Sequence, residues 1–346
     1  MIRLLPALLA LWPACAQAQA WATRAACDAG AAEIAPHVLP EAQLAALRER
    51  AAAVPDSDGR FWRVQSPGGA VSHLWGSYPS SHPQILALPQ IAEARIAAAR
   101  LIAVDRDFTA ASRAELNRRQ FPGQGLQGAP VPLQDRGFHP RAGAWIRSRT
   151  EALGLSPAEA ARLSPGALAE LLMRSPCEDF TAGVLPLQDM RIRVLGQIGG
   201  ADVLGLEPPE ALAAHLDLPE NAATARAIHN VLAARMQPQP DPAFRAARFA
   251  LYREGAIGVL MEWEQVQLAR AYGAEQARRD LALSRGYLLA HRNEAFLKRV
   301  LPDLREGGVF LSLGAFHLPG ETGMIRLLRD AGFTVSRIPL TGEPAG

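Results

Sequence analysis

Val309-Phe310-Leu311-Ser312-Leu313-Gly314-Ala315-Phe316-His317-Leu318-Pro319-Gly320 is an apolar run of strand length, closed by a glycine and, three residues later, a histidine. Five residues with a single hydroxyl among them read as a strand buried on both faces. Before it, Gly286 to Leu301 has helical spacing. After it come a loop through Gly320, a helix from Thr322 to Asp330 and a strand from Phe333 to Ile338, with Gly332 placed to end that helix. Helices on either side of a buried strand imply a sheet covered by helices.

A related pattern stands near the other end. Phe61-Trp62-Arg63-Val64 and Val71-Ser72-His73-Leu74-Trp75 are strand-like runs joined by Ser66-Pro67-Gly68-Gly69, which is turn chemistry, so they read as a hairpin. Ile91 to Arg100 follows as a helix and Leu101-Ile102-Ala103-Val104 as a buried strand. Glu41 to Ala53 precedes the hairpin as a helix with Leu44, Leu47 and Ala51 on one face. The middle, about 157–285, is helical by its apolar spacing, interrupted by one strand, Val203-Leu204-Gly205-Leu206. The fold class expected is therefore α/β (α+β): a central mixed sheet built from two related strand-strand-helix units, with a helical insertion in the middle. One domain over residues 21–346 is the favoured organisation, and two separate domains the alternative.

Met1 to Ala20 carries one charge, Arg3, then the apolar run Leu4 to Trp12 and small residues ending Ala16-Gln17-Ala18-Gln19-Ala20, the order of a secretory signal peptide. The expected protein is periplasmic or secreted, with no transmembrane segment after cleavage. Lipoprotein anchoring through Cys15 is not expected, because Trp12-Pro13-Ala14 lacks leucine at the third position back. Cleavage would leave Cys27 and Cys177 as the only cysteines in an oxidising compartment, where a disulfide between them is predicted; a separation too great for bonding is the alternative. Loss of Arg3 would leave 35 basic residues against 34 acidic ones, from 36 and 34 in the whole chain. Near-neutrality argues against nucleic acid as a partner.

The chain contains no HExxH, no Walker loop and no Gly-x-Ser-x-Gly, and Gly196-Gln197-Ile198-Gly199-Gly200 is not a dinucleotide fingerprint. Two strand ends remain. Leu74-Trp75-Gly76-Ser77-Tyr78-Pro79 closes the hairpin, and Gly314 to His317 closes the later strand. Ligands of α/β sheets sit beyond strand C-termini, which makes His317 a candidate site residue.

The ordered blocks Leu74-Trp75-Gly76-Ser77, His82 to Pro89, Gly205-Leu206-Glu207, Arg292-Asn293 and Val309 to Gly320 resemble the TraB/GumN family, which is similar to the Tiki proteins. The resemblance spans roughly residues 58–340. It implies a ChaN/erythromycin-esterase-like fold with paired Gly-x-x-His motifs and an acidic residue at a metal-dependent peptidase site. Gly314 and His317 match the second motif, Gly76 the glycine of the first, and Arg292 an arginine of the preceding helix. Pro79 stands where the first histidine belongs and offers neither donor nor acceptor. Asp105 is the best match to the family's glutamate, although a slip of one residue would put Val104 there. His317, Asp105 and His82 are the candidate ligands for one divalent ion, Mn, Co or Zn, and His317 with Asp105 the candidate catalytic pair. Gly76, Gly314, Arg292 and Glu207 are the candidate binding residues. Two functions are expected of such a chain: a degenerate, non-catalytic relative that binds a peptide or envelope component in a cleft at the strand ends, or a metal-dependent hydrolase.

Overall fold

The structure, a computed structural model, describes residues 39–106, 130–180, 186–236 and 242–343. Six strands form one sheet: β1 (Phe61–Gln65), β2 (Val71–Ser77), β3 (Leu101–Arg106), β4 (Asp202–Glu207), β5 (Val309–Gly314) and β6 (Thr334–Arg337). Their order is β4-β3-β5-β2-β1-β6. β4, β3, β5 and β2 are mutually parallel, and β1 runs antiparallel to both β2 and β6. The two expected units interlock, because β5 inserts between β2 and β3. The mixed sheet expected from the sequence is thus present, flanked by helices.

Side-chain alternation along each strand explains the layers. Phe61, Trp75, Ile102, Val104 and Phe310 face one way and pack against Ile96 of the Gln90–Ala97 helix and Ile192 of the Gln188–Ile198 helix. Trp62, Leu74, Leu101, Ala103, Leu311 and Leu313 face the other way. They meet Phe296, Val300 and Leu304 of the Arg292–Glu306 helix and Ile325 and Leu328 of the Met324–Asp330 helix. Each such buried side chain contributes about 1.5–3 kcal/mol over its exposed state, so a one-residue slip of β3 or β5 would forfeit both faces together.

The helical middle has its own apolar core, in which Ile146, Leu168, Leu172, Ile228 and Leu232 are fully or nearly fully buried. A further cluster, with Leu47, Tyr78, Phe249, Tyr252, Leu260 and Ala315, joins the Glu41–Ala51 and Ile257–Tyr272 helices to the strand ends. No helix among the described residues is long and apolar enough to cross a membrane. The predicted signal peptide, Cys15 and Cys27 lie outside the described residues; Cys177, the other half of the predicted disulfide, is buried.

Candidate functional site

Three parallel strands end side by side, with Ser77 of β2 paired to Gly314 of β5 and Val104 of β3 paired to Ser312 of β5. The alternation that builds the core sorts what lies at these ends. Asp105 continues the series Leu101, Ala103 and so emerges toward the Arg292–Glu306 helix. Ser77 and Ser312 continue Trp75 and Phe310 toward the Gln188–Ile198 helix. Beyond β5 the chain turns at once into a short 3-10 segment, Ala315–His317, which carries His317. The histidine thus stands one turn past the strand rather than at its last residue.

His317 is buried, and its hydrogen bonds fix its protonation. Asn293 Nδ2 donates to the main-chain oxygens of His317 at 3.1 Å and Thr322 at 2.8 Å. That orientation leaves Asn293 Oδ1 as an acceptor, 2.7 Å from His317 Nδ1. Nδ1 therefore carries the proton and Nε2 the lone pair, an assignment made from the network. Arg292 Nη1 faces Nε2 at 3.5 Å. Burial first, then the positive charge of Arg292, pull the imidazole pKa down to about 3, with Asp105 opposing. His317 is a neutral acceptor at any physiological pH.

Arg292 is held on its other side by Glu207. Its Nε donates to Glu207 Oε2 at 3.1 Å and its Nη2 to Oε1 at 2.5 Å, the two-bond geometry that suits a planar guanidinium. Asp105 Oδ2 lies 3.4 Å from the same Nη2. The network continues through Arg106, whose Nη1 donates to Glu170 at 2.6 Å and whose Nε is 3.8 Å from Glu207. Burial disfavours the Arg106 cation, but Glu170, Asp105 and Glu207 outweigh it and raise its pKa. Of these five groups Asp105 is the most open, with 31% of its side chain exposed against 7–10% for the others.

A helical irregularity positions the arginine. Gly286–His291 forms a π-helical turn that runs directly into the Arg292–Glu306 helix, where the sequence predicted one regular helix. Such turns shift the register of the residues that follow and recur at functional sites. The Tyr287 ring, inside the turn, stacks face to face on His215 at 3.6 Å.

On the opposite face of the sheet, Ser312 Oγ donates to Asp189 Oδ1 at 2.9 Å. Burial pushes the Asp189 carboxyl up to about 6, and the negative charge of Asp105 adds to the rise. Its neighbour Gln188 is a buried hub: Trp75 Nε1 and the Tyr78 N–H donate to its side-chain oxygen at 3.3 and 3.0 Å, and its amide donates to Ile85 O. Sequence reasoning missed both residues, because a polar pair opening a helix reads as ordinary first-turn chemistry.

The remaining candidates fall elsewhere. His82 caps the Pro83–Leu86 helix, its Nδ1 accepting from the Gln84 N–H at 3.2 Å, and its ring lies 5.1 Å from that of Phe249. Pro79 is exposed. Gly76 is required by close packing, since a Cβ there would stand 3.0 Å from Leu318 Cδ2 and 3.2 Å from Ala315 Cα. Gly314 has a φ of −51°, open to any residue, and a Cβ there would lie at an ordinary 3.5 Å from the His317 ring. Among the described residues no group of three or more His, Cys, Asp or Glu side chains is arranged to hold a metal ion.

The model of the TraB/PrgY/gumN family matches residues 60–337. No curated protein and no solved structure matches.

Proposed function

Starting from the fact that the chain belongs to the TraB/PrgY/gumN family, we propose that it is an exported, non-catalytic member that binds a peptide or envelope component at the C-terminal ends of β2, β3 and β5. The observation that carries this reading is the guanidinium of Arg292 against Nε2 of His317. That nitrogen holds the lone pair a metal would need, and it faces a buried cation fixed by Glu207 at 3.1 Å. A divalent ion there would meet a like charge or force Arg292 out of its pair.

The other donors do not fit a metal either. Proline at position 79 has no donor atom, and the His82 ring is committed at Nδ1 to the Gln84 N–H. Asp105 has Oδ1 on the Arg106 N–H at 2.8 Å and Oδ2 on Arg292. Catalytic zinc ordinarily has three protein ligands and an open position, and this set supplies none free of a competing partner. What the site offers instead is the Asp105 carboxylate, partly open at its mouth, whose oxygens can accept further bonds. That suits the N–H groups of an amide or an ammonium.

The test is to incubate the purified mature protein with a mixed peptide pool, with and without Mn, Co or Zn, and to follow it by mass spectrometry. The expected outcome is retention of intact peptides that Asp105→Asn weakens. Metal-dependent cleavage that His317→Ala abolishes would establish the hydrolase instead.

A further inference from the structure

A second charged cluster lies outside the site just described. Glu264, on the Ile257–Tyr272 helix, accepts a hydrogen bond from Arg235 Nη2 on Oε2 at 2.7 Å, and Arg248 Nη2 lies 2.9 Å from its Oε1 as an ion pair. Each oxygen therefore already has its arginine. Arg285, the last residue of the Ala274–Arg285 helix, stands in the field of the same carboxylate, yet makes no ion pair among the described residues. Among the described residues its one hydrogen bond runs from Nη2 to Met261 O at 3.4 Å. The nearby Glu262 carboxylate is bonded by Arg50 at 3.1 Å.

Two guanidinium groups thus pair with one carboxylate and a third stands in its field, the four groups coming from four separate elements. The side chains remain reachable: Arg235 is 33%, Arg248 18% and Glu264 14% exposed. The Arg248 guanidinium also lies 5.6 Å from the ring centre of Tyr78, the residue directly after Ser77 at the end of β2. Arg285 directly precedes the π-helical turn that leads to Arg292.

We propose that Arg235 and Arg285, with Arg248 holding Glu264 and Tyr78 in place, form a binding site for the oxyanion group, carboxylate or phosphate, of a small ligand. Among the described residues the cluster holds positive charge in excess of its carboxylates, and such an excess at partial burial is costly unless an anion completes it. The fork of N–H groups on each guanidinium matches two oxygens of a carboxylate or phosphate. The titration of the groups agrees. Burial acts to raise the Glu264 carboxyl, but Arg235 and Arg248 overcome it and hold it low. For Arg285, burial outweighs both Glu264 and Glu262 and lowers its pKa, the mark of a cation short of counter-charge. This site does not depend on how the strand-end site functions.

The experiment is calorimetric titration of the whole mature protein with inorganic phosphate and, separately, with acetate, at low ionic strength. Saturable binding of either is expected, and the tighter of the two identifies the group. Arg285→Gln and Arg235→Gln are each expected to weaken it by about tenfold, the loss of one charge-assisted contact, while Arg326→Gln, in an exposed pair outside the cluster, leaves it unchanged. Should either variant fail to fold, phenylglyoxal labelling of the wild-type protein gives the same answer, with the anion protecting Arg235 and Arg285 in the mapped peptides. No binding of either anion at millimolar concentration, affinity unaltered in both variants, or no protection would overturn the site.

Discussion

Glu207→Gln removes one negative charge from the centre of the strand-end network and keeps the side-chain shape. In the wild type both Glu207 oxygens bind Arg292, and the two side chains are 10% and 7% exposed. Removing one member of so buried a pair strands the other charge, which typically costs about 3–5 kcal/mol. Two features lower that figure here. Glutamine keeps a carbonyl oxygen that accepts one of the two bonds, and Asp105 remains 3.4 Å from Arg292 Nη2 in a partly solvated position. A loss of about 2–3 kcal/mol is expected. For a chain of this size, with an unfolding entropy of about 0.7 kcal/mol/K, that lowers the melting temperature by roughly 3–4 °C. Urea unfolding of wild type, Glu207→Gln, Arg292→Met and the double variant measures it. The double variant should be more stable than the sum of the single losses predicts, by roughly 1–3 kcal/mol. A loss below about 0.5 kcal/mol in Glu207→Gln, the scale of an exposed surface pair, would show instead that the pair contributes as if it were solvated.

Acid should destabilise the fold well above the range in which its carboxylates protonate. Burial, aided by arginine charges, holds His73 and His229 down to about 4 and His317 to about 3. The unfolded chain, with ordinary imidazoles near 6.5, therefore binds more protons below that pH, and stability present above 6.5 drains as pH falls toward 3–4. Asp189, raised to about 6, acts in the opposite sense between about 3.8 and 6 but is one group against three. The urea midpoint should thus be lower at about pH 5 than at about pH 7.5, and an equal or higher midpoint at the acidic value would contradict the buried neutral histidines. Thiol counting on the denatured, unreduced mature protein should find no free cysteine if Cys27 and Cys177 are bridged; two titratable thiols would dismiss the disulfide. A single domain with a helical insertion predicts one calorimetric transition, whereas two resolved transitions would show that the helical part folds by itself.

The strands were legible because their residues leave little choice. Leu101 to Val104 is apolar without break and Val309 to Leu313 is interrupted only by Ser312, and the observed β3 and β5 are buried on both faces. The hairpin was equally plain from its turn residues. The last helix starts at Met324 rather than Thr322 for a reason the sequence hides: Gly323 is extended, and a Cβ there would stand 2.3 Å from Leu318 O, so the backbone is pressed against the preceding loop. Among site residues, His317, Asp105, Glu207 and Arg292 were marked by strand ends and family blocks, and they do converge. Their pairing was not legible, since the contact of Glu207 with Arg292 depends on the π-helical turn and on β4 lying beside β3. Asp189 and Gln188 gave no signal, because their partners Ser312, Trp75 and Tyr78 are more than a hundred positions away. His82, a candidate ligand three residues past Pro79, is taken by local chemistry as a helix cap.

Arg292 occupies the approach to His317 Nε2, and metal affinity tests that placement most directly. Titration of the purified mature protein with Mn, Co and Zn, alongside His317→Ala and Pro79→His, should show no micromolar binding in the wild type and no difference between wild type and His317→Ala. Micromolar or tighter binding by the wild type that His317→Ala abolishes would contradict the account.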